Sequence, residues 1–403
     1  MKIKLLAPLL SCLMAVPVWG EENERQCYEE DREVSVCQDE SFETEPAWTL
    51  QEALTPKTGT QEVKSTESSA KSTGPTFGGY IIGSYKYEDT VGAEGGDGFN
   101  IRLVRFYVSG TVLYDFKYRI QVEMNGTPHL KDATLEWVRW KGFQIKVGQF
   151  KRSFGLENPM NPWDLGNGDY SQLSKKLTGM GDRVGEASVG GRDLGIQFQG
   201  DLFKAHDNHY QLHYQLAVFN GQGINQKDQN KQKDWMAMLQ WNPVKTLSIG
   251  AYGWLGSWHS KEKNIDLDRN RYAFFLKYQE PNTGLTVRTE YARSKGRKAA
   301  DWDASTQQWT QQSLAQNGGD KADAWYTLVG MPVWRWIKFN VKYDAYRDYA
   351  TWSSMHTIYS AIVELQPHAN LKLQLQYNNH CDKTSSAPER HYNQLWVQSY
   401  VRF

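Results

Sequence analysis

The chain has 403 residues, with 46 Lys and Arg against 46 Asp and Glu. The hydrophobic share is 39%, and the balanced charge lacks the basic excess of a nucleic-acid binder, so no nucleic-acid partner is expected. Nine scattered His and four Cys offer no zinc-type spacing, and neither metal nor cofactor is expected.

The chain opens with Met1-Lys2-Ile3-Lys4 and an apolar run from Leu5 to Val18, then Trp19-Gly20-Glu21. A basic start, a short apolar centre and small residues near the exit read as a signal peptide over 1–20. Leu9-Leu10-Ser11-Cys12 loosely resembles a lipobox, which leaves a lipoprotein as the alternative. The run is too short for a transmembrane helix, and no later stretch offers ~18 apolar residues in a row. A membrane-spanning form of this chain must therefore be a closed barrel.

Residues 21–75 hold fourteen Asp or Glu and five Lys or Arg. Such an acidic segment, poor in apolar residues, is expected to be a mostly disordered periplasmic arm. Cys27 and Cys37 within it could pair in an oxidising compartment or remain thiols. The balance of charge leaves a net +7 on residues 76–403.

From Phe77 onward the pattern is strand, turn, strand, loop. In the run from Phe116 to Met124, Phe116, Tyr118, Ile120, Val122 and Met124 share one face. Lys117, Arg119, Gln121 and Glu123 share the other, because strand side chains alternate. Val104 to Ser109, Asp132 to Trp137 and Phe143 to Gly148 repeat the pattern. Two-sided strands with charges on one face and aromatics on the other fit a barrel whose exterior is apolar. Later candidate strands are 192–200, 210–220, 235–241, 247–255, 272–278, 285–291, 325–331, 337–343, 359–365, 371–377 and 395–403. With Phe77 to Glu88 the total is about sixteen. Short turns such as Asn242 to Lys245 alternate with long polar loops such as Ala292 to Asp320, as in outer-membrane barrels. The expected fold is all-β: a transmembrane antiparallel β-barrel over 76–403, in the bacterial cell outer membrane. Its outer face meets membrane lipid. Trp235, Trp241, Trp325 and Tyr377 suit interfacial girdles. Phe403, ending an alternating strand, is expected to contact the barrel assembly machinery.

The segment from Arg152 to Gly191 is the longest irregular stretch in the first half of the barrel. A loop of that length is either functional or an ordinary surface excursion, and here the functional form would be a pore constriction. Cations on the lumen faces outnumber acids. Arg105, Lys117, Arg119 and Lys146 lie on neighbouring strands, and Lys151 and Arg152 stand at the loop root. Together they are the candidate path for small anions. The competing reading is that Lys and Glu pair across strands and stabilise the wall.

Several motifs carry a resemblance to a known family. Arg105 with Val108-Ser109-Gly110, then Leu130-Lys131-Asp132-Ala133, then Val147 to Lys151 ahead of Phe154-Gly155-Leu156-Glu157, and then Gly191-Arg192-Asp193-Leu194-Gly195 resemble successive signatures of the phosphate-selective porin O and P family. The resemblance implies a sixteen-stranded outer-membrane barrel, often a homotrimer, with basic side chains guiding anions. The expected function is a porin for passive diffusion of small hydrophilic solutes, preferring phosphate or other small anions, and not an enzyme. One alternative is a sugar porin, with some of the 16 Trp forming a stacking path. Another is a barrel hydrolase using His356, His380 or His391. The glycine-rich run Gly92 to Gly98 is read as a strand-to-strand loop, since no helix follows to hold a phosphate.

Overall fold

A computed structural model describes residues 74–89, 97–185, 190–384 and 390–403. The signal segment, the arm with Cys27 and Cys37, and most of the Gly92 to Gly98 run lie outside the described residues.

Sixteen antiparallel strands close into one barrel. The first five are β1 (Thr76–Glu88), β2 (Gly98–Val112), β3 (Phe116–Glu123), β4 (His129–Trp140) and β5 (Phe143–Lys151). The chain leaves the sheet there and returns as β6 (Arg192–Lys204), β7 (Tyr210–Phe219), β8 (Asp234–Val244), β9 (Leu247–Leu255) and β10 (Asn270–Gln279). The circuit continues through β11 (Thr286–Lys295), β12 (Lys321–Trp334), β13 (Ile337–Arg347), β14 (Met355–His368), β15 (Leu371–Asp382) and β16 (Arg390–Arg402). Pairing of β1 with β16, from Tyr80 opposite Arg402 to Glu88 opposite Gln394, completes the ring. A closed ring leaves no strand edge unpaired, which is what lets a sheet cross lipid.

Alternation along each strand sorts the side chains. On β15, Leu373, Leu375 and Tyr377 are exposed on the outer face, while Lys372, Gln374, Gln376 and Asn378 are buried on the lumen face. On β3, Ile120 faces outward and Gln121 and Glu123 face inward, as the sequence alternation requires. Strands extend beyond the periodic runs. β12 reaches from Lys321 to Trp334, and β15 runs on to Asp382, taking in Cys381. Pairing with a neighbour extends a strand past the point where alternation is visible. The polar loops also hold structure that alternation did not reveal, with small hairpins at Ser257–Ser260 with Ile265–Asp268 and at Trp302–Asp303 with Gln308–Trp309.

Among its described residues, the segment between β5 and β6 contains a 3-10 turn at Pro162–Asp164 and a short α-helix, α1 (Gln172–Leu177), capped by the Ser171 hydroxyl accepting from the Ser174 amide. The lumen has an apolar surface to receive it. Phe154, Leu156, Leu173 and Leu177 cluster with Met236, Met238, Tyr252, Trp254 and Phe275 on the wall. Ala273, Ala292, Ala322 and Ala324 are also in this cluster, and their small side chains let the segment approach the sheet closely.

Placing a charge on the outer face should be costly and placing a neutral polar group on the lumen face should not. Ile120→Arg should destabilise the barrel by roughly 2–4 kcal/mol in lipid, whereas Arg119→Gln should stay within about 1 kcal/mol. Urea unfolding in phospholipid vesicles, read by tryptophan fluorescence, measures both.

Candidate functional site

The inward segment is fixed first at its two ends. The Arg152 amide donates to the Gly191 carbonyl at 2.8 Å. The Arg152 guanidinium meets the Asp193 carboxylate at 2.8 Å, and both side chains are fully buried. Asn158 donates to the carbonyls of Arg152 and Gly191 at 3.0 and 3.1 Å. Gly191 has φ +61°, and a Cβ there would lie 2.1 Å from Asn158 Oδ1, so no other residue closes this root without displacing Asn158. Beside it, Arg192 grips Asp132 through two bonds of 2.7 and 3.1 Å.

From the root the segment crosses to the far wall and bonds there along its length. The Leu156 amide donates to Glu290 on β11 at 2.9 Å, and the Gln172 amide to Asp344 on β13 at 3.0 Å. The Gly168 amide donates to Gln376 on β15 at 2.6 Å. Lys372 donates to the Trp163 carbonyl and Arg288 to the Leu165 carbonyl. Glu157, fully buried, accepts from the Ser171 amide at 2.7 Å and lies 3.7 Å from Lys342. Burial would raise its pKa, but Lys342, Arg288 and Ser171 together hold it below the usual range. Asp182 is treated likewise: burial opposes the charge, yet Arg271, bonded at 2.6 Å, keeps the carboxyl at about 2. Asp164 differs. Burial outweighs the neighbouring Lys372 and Arg402, and its pKa rises to about 6.

The near wall, β2 to β5, carries the residues singled out from the sequence, and the structure arranges them in tiers. At the loop end Arg105 donates to Glu123 at 3.1 and 2.9 Å and to the Tyr80 hydroxyl at 2.7 Å. Glu123 also meets Lys131 at 3.1 Å. Arg119 stacks over Tyr107 at 4.0 Å and donates to Gln121 at 2.9 Å. At the turn end Lys117 and Lys146 stand opposite Glu136 in the register of β3, β4 and β5. Six residues separate Lys117 from Glu123 along β3, about 20 Å of strand at ~3.4 Å per residue. The four cations thus do not form a single patch. Lys117, Arg119 and Lys146 are half-buried and form no ion pair with a described residue, whereas Arg105 is buried and paired. Lys151 turns into the root and donates to the Met160 carbonyl at 2.6 Å.

Alternation alone does not find Lys131, which is 2% exposed. A register shift between Gln121 and Val122 pairs them with Asp132 and Leu130, leaving Lys131 as the extra residue. The bulge turns it inward beside Asp132, since a bulged residue departs from the two-residue repeat. Lys175 and Lys176 on α1 were equally hidden, because their direction depends on where the segment lies.

These groups border a chamber of about 1110 Å³ at the loop end. Its lining carries six Lys or Arg, among them Arg102, Arg105, Lys131, Lys175 and Lys176, against three acids, Glu123, Asp169 and Glu262. Burial opposes ionisation of Asp169, but Lys175 and Arg102 hold its carboxyl at about 2. The histidines considered for catalysis lie elsewhere on the mouth: His356 and His380 bond one another at 3.0 Å, and Tyr392 stacks on His380 at 4.3 Å.

Comparison with known proteins places this geometry. The profile of "Phosphate-selective porin O and P" matches residues 78–252. No curated protein sequence matches the chain. Among solved structures, the anion-selective porin from Comamonas acidovorans superposes with a TM-score of 0.58 at 14% identity, over 83% of this chain and 100% of that one. The outer-membrane channel DcaP of Acinetobacter baumannii gives 0.56 at 12%, over 85% and 100%. The trimer form of Vibrio cholerae OmpT gives 0.53 at 12%, over 82% and 99%. At these identities the structural likeness is one of fold.

If the root bonds hold the inward segment, loosening them should disturb the steadiness of the pore more than its selectivity, because the one cation lost is fully buried against Asp193 rather than set on the open wall. Arg152→Gln leaves Asp193 buried without its cation, a loss of roughly 3–5 kcal/mol. Single-channel recordings should then show increased open-channel noise and flicker, with a smaller shift of reversal potential in a salt gradient than Lys117→Gln produces.

Proposed function

Starting from the match of residues 78–252 to the phosphate-selective porin O and P family, we propose that this protein is an outer-membrane porin with a preference for anions. The observation that carries the preference is the set Lys117, Arg119 and Lys146. These are half-buried, form no ion pair with a described residue, and are set on the wall facing a lumen narrowed by residues 152–185 and 190–191. A low-dielectric wall focuses the field of such charges and concentrates counter-ions in the channel. Arg105 and Lys131 add a further positive tier, each tempered by Glu123.

In this reading the long loops face outside and the short turns face the periplasm. Exposed Trp140, Trp241 and Trp334 mark the turn end of the outer face, and Trp235 and Trp352 the loop end. That distribution supports interfacial girdles over a stacking path for neutral sugars. Three barrels in one assembly suit the proposal, as in the trimer form of the Vibrio cholerae channel. Phe403, exposed and tilted against Phe106 at 5.7 Å, is the proposed contact for the assembly machinery.

In planar bilayers the protein should form water-filled channels whose reversal potential in a KCl gradient favours chloride. The triple change Lys117→Gln, Arg119→Gln and Lys146→Gln should bring permeability close to equal for both ions and flatten its salt dependence, because screening would have less charge to act on. A cation-selective wild-type channel, or a triple variant as anion-selective as the wild type, would overturn the assignment.

Asp164 makes the preference depend on pH. Its carboxyl, held at about 6, carries a negative charge at pH 7.5 and loses most of it by pH 5. Chloride preference should therefore rise as pH falls through 6, and Asp164→Asn should show the low-pH selectivity throughout that range. Reversal potentials at pH 7.5 and 5 measure the shift.

A further inference from the structure

The chamber at the loop end is a poor fit for a small inorganic anion and a better one for a larger solute. A tight site for free phosphate needs several unengaged donors converging on one point. Here the two guanidiniums are already engaged: Arg105 by Glu123 and Tyr80, Arg102 by Asp169 and the Gly168 carbonyl. The ammonium groups of Lys131 and Lys175 likewise have carboxylate partners. Lys176 is exposed and makes no ion pair with a described residue, so it can take an anionic group without breaking one. At about 1110 Å³ the chamber lies just above the usual size range of organic-ligand pockets, with ample room for a sugar-sized solute.

The loop after β7 supplies the other half of the recognition. Gln222 lines the chamber and is 4% exposed, and its side-chain amide nitrogen has no hydrogen-bond partner among the described residues. A buried donor left unbonded costs free energy that an incoming oxygen would recover. Gln226, exposed on the same loop, also borders the space. Neutral amides cannot neutralise an anion, but they bond hydroxyl groups well. The aromatic rings of Tyr170 and Trp258 complete the lining, offering flat apolar faces of the kind that sugar rings cover.

We propose that this chamber binds a phosphorylated sugar. The phosphoryl group sits toward Lys176 on α1, and ring hydroxyls are read by Gln222 and Gln226. The inference rests on the anion-porin reading and narrows its substrate class: the chamber admits hexose phosphates ahead of inorganic phosphate. Binding here precedes the narrowed lumen and enriches the solute at its entrance.

The test is current interruption in planar bilayers holding the full-length channel, with solute added on the loop side. Glucose 6-phosphate should interrupt the current at a concentration about tenfold below that needed for inorganic phosphate, succinate or glucose, a difference of about 1.4 kcal/mol. Gln222→Ala should remove most of that advantage and leave the response to inorganic phosphate unchanged. Gln226→Ala, at an exposed position, should do the same in part and covers the case in which the buried change prevents folding. Equal potency of inorganic phosphate or succinate would overturn the proposal, as would full potency of glucose 6-phosphate in both glutamine variants. An anion-selective channel giving those results would sink only this inference. Loss of anion selectivity in the wild type would sink the porin reading beneath it.

Discussion

A sheet that crosses lipid must bond all of its backbone to itself, because the hydrocarbon offers no partner for an exposed amide or carbonyl. Here the pairing of β1 with β16 meets that demand, and the rest of the molecule follows from it. Once the ring is closed, each strand has one face toward oil and one toward an enclosed space. Ile120, Leu135 and Leu375 can only be stable on the first. Gln121, Asp132 and Gln374 can only be stable on the second, where other side chains and water satisfy them.

The enclosed space acts as a second interior. Six of its sixteen strands, β8 to β13, present Met, Tyr, Trp, Phe and Ala side chains that would be poorly placed in an open water channel. The inward segment covers them, and its backbone amides are taken up by Glu290, Asp344 and Gln376. Buried charges appear in pairs along this contact: Arg152 with Asp193, Arg271 with Asp182, Lys342 with Glu157 and Asp344. Such pairs give little net stability over apolar packing, but each strongly disfavours arrangements that would separate its members. They specify where the segment lies more than they strengthen the barrel.

That division separates two kinds of cation. Arg152 and Arg192 are consumed in fixing the root of the segment. Lys117, Arg119 and Lys146 stay half-buried with no carboxylate of a described residue within ion-pair distance. Arg105 stands between the two cases, lining the chamber while held by Glu123. A count of lumen cations therefore overstates the field available to a solute. The relevant quantity is the charge left after the wall has bonded to itself.

The period-two pattern by itself determined the fold class, the sixteen strands and the face of nearly every wall residue from Lys117 to Arg402. It could do so because alternation is a local consequence of strand geometry and needs no knowledge of partners. Phe154, Glu157 and Gln222 lie in irregular stretches, where no period constrains direction. Lys131 lies at a bulge, where the period breaks. The pairing of Arg152 with Asp193, 41 residues away, and of Gln172 with Asp344, 172 residues away, depends on the path of the segment through the lumen. That path is fixed by contacts distant in sequence and by the shape of the inner wall. Only the closed tertiary structure decided which charges were spent on architecture and which remained facing the pore.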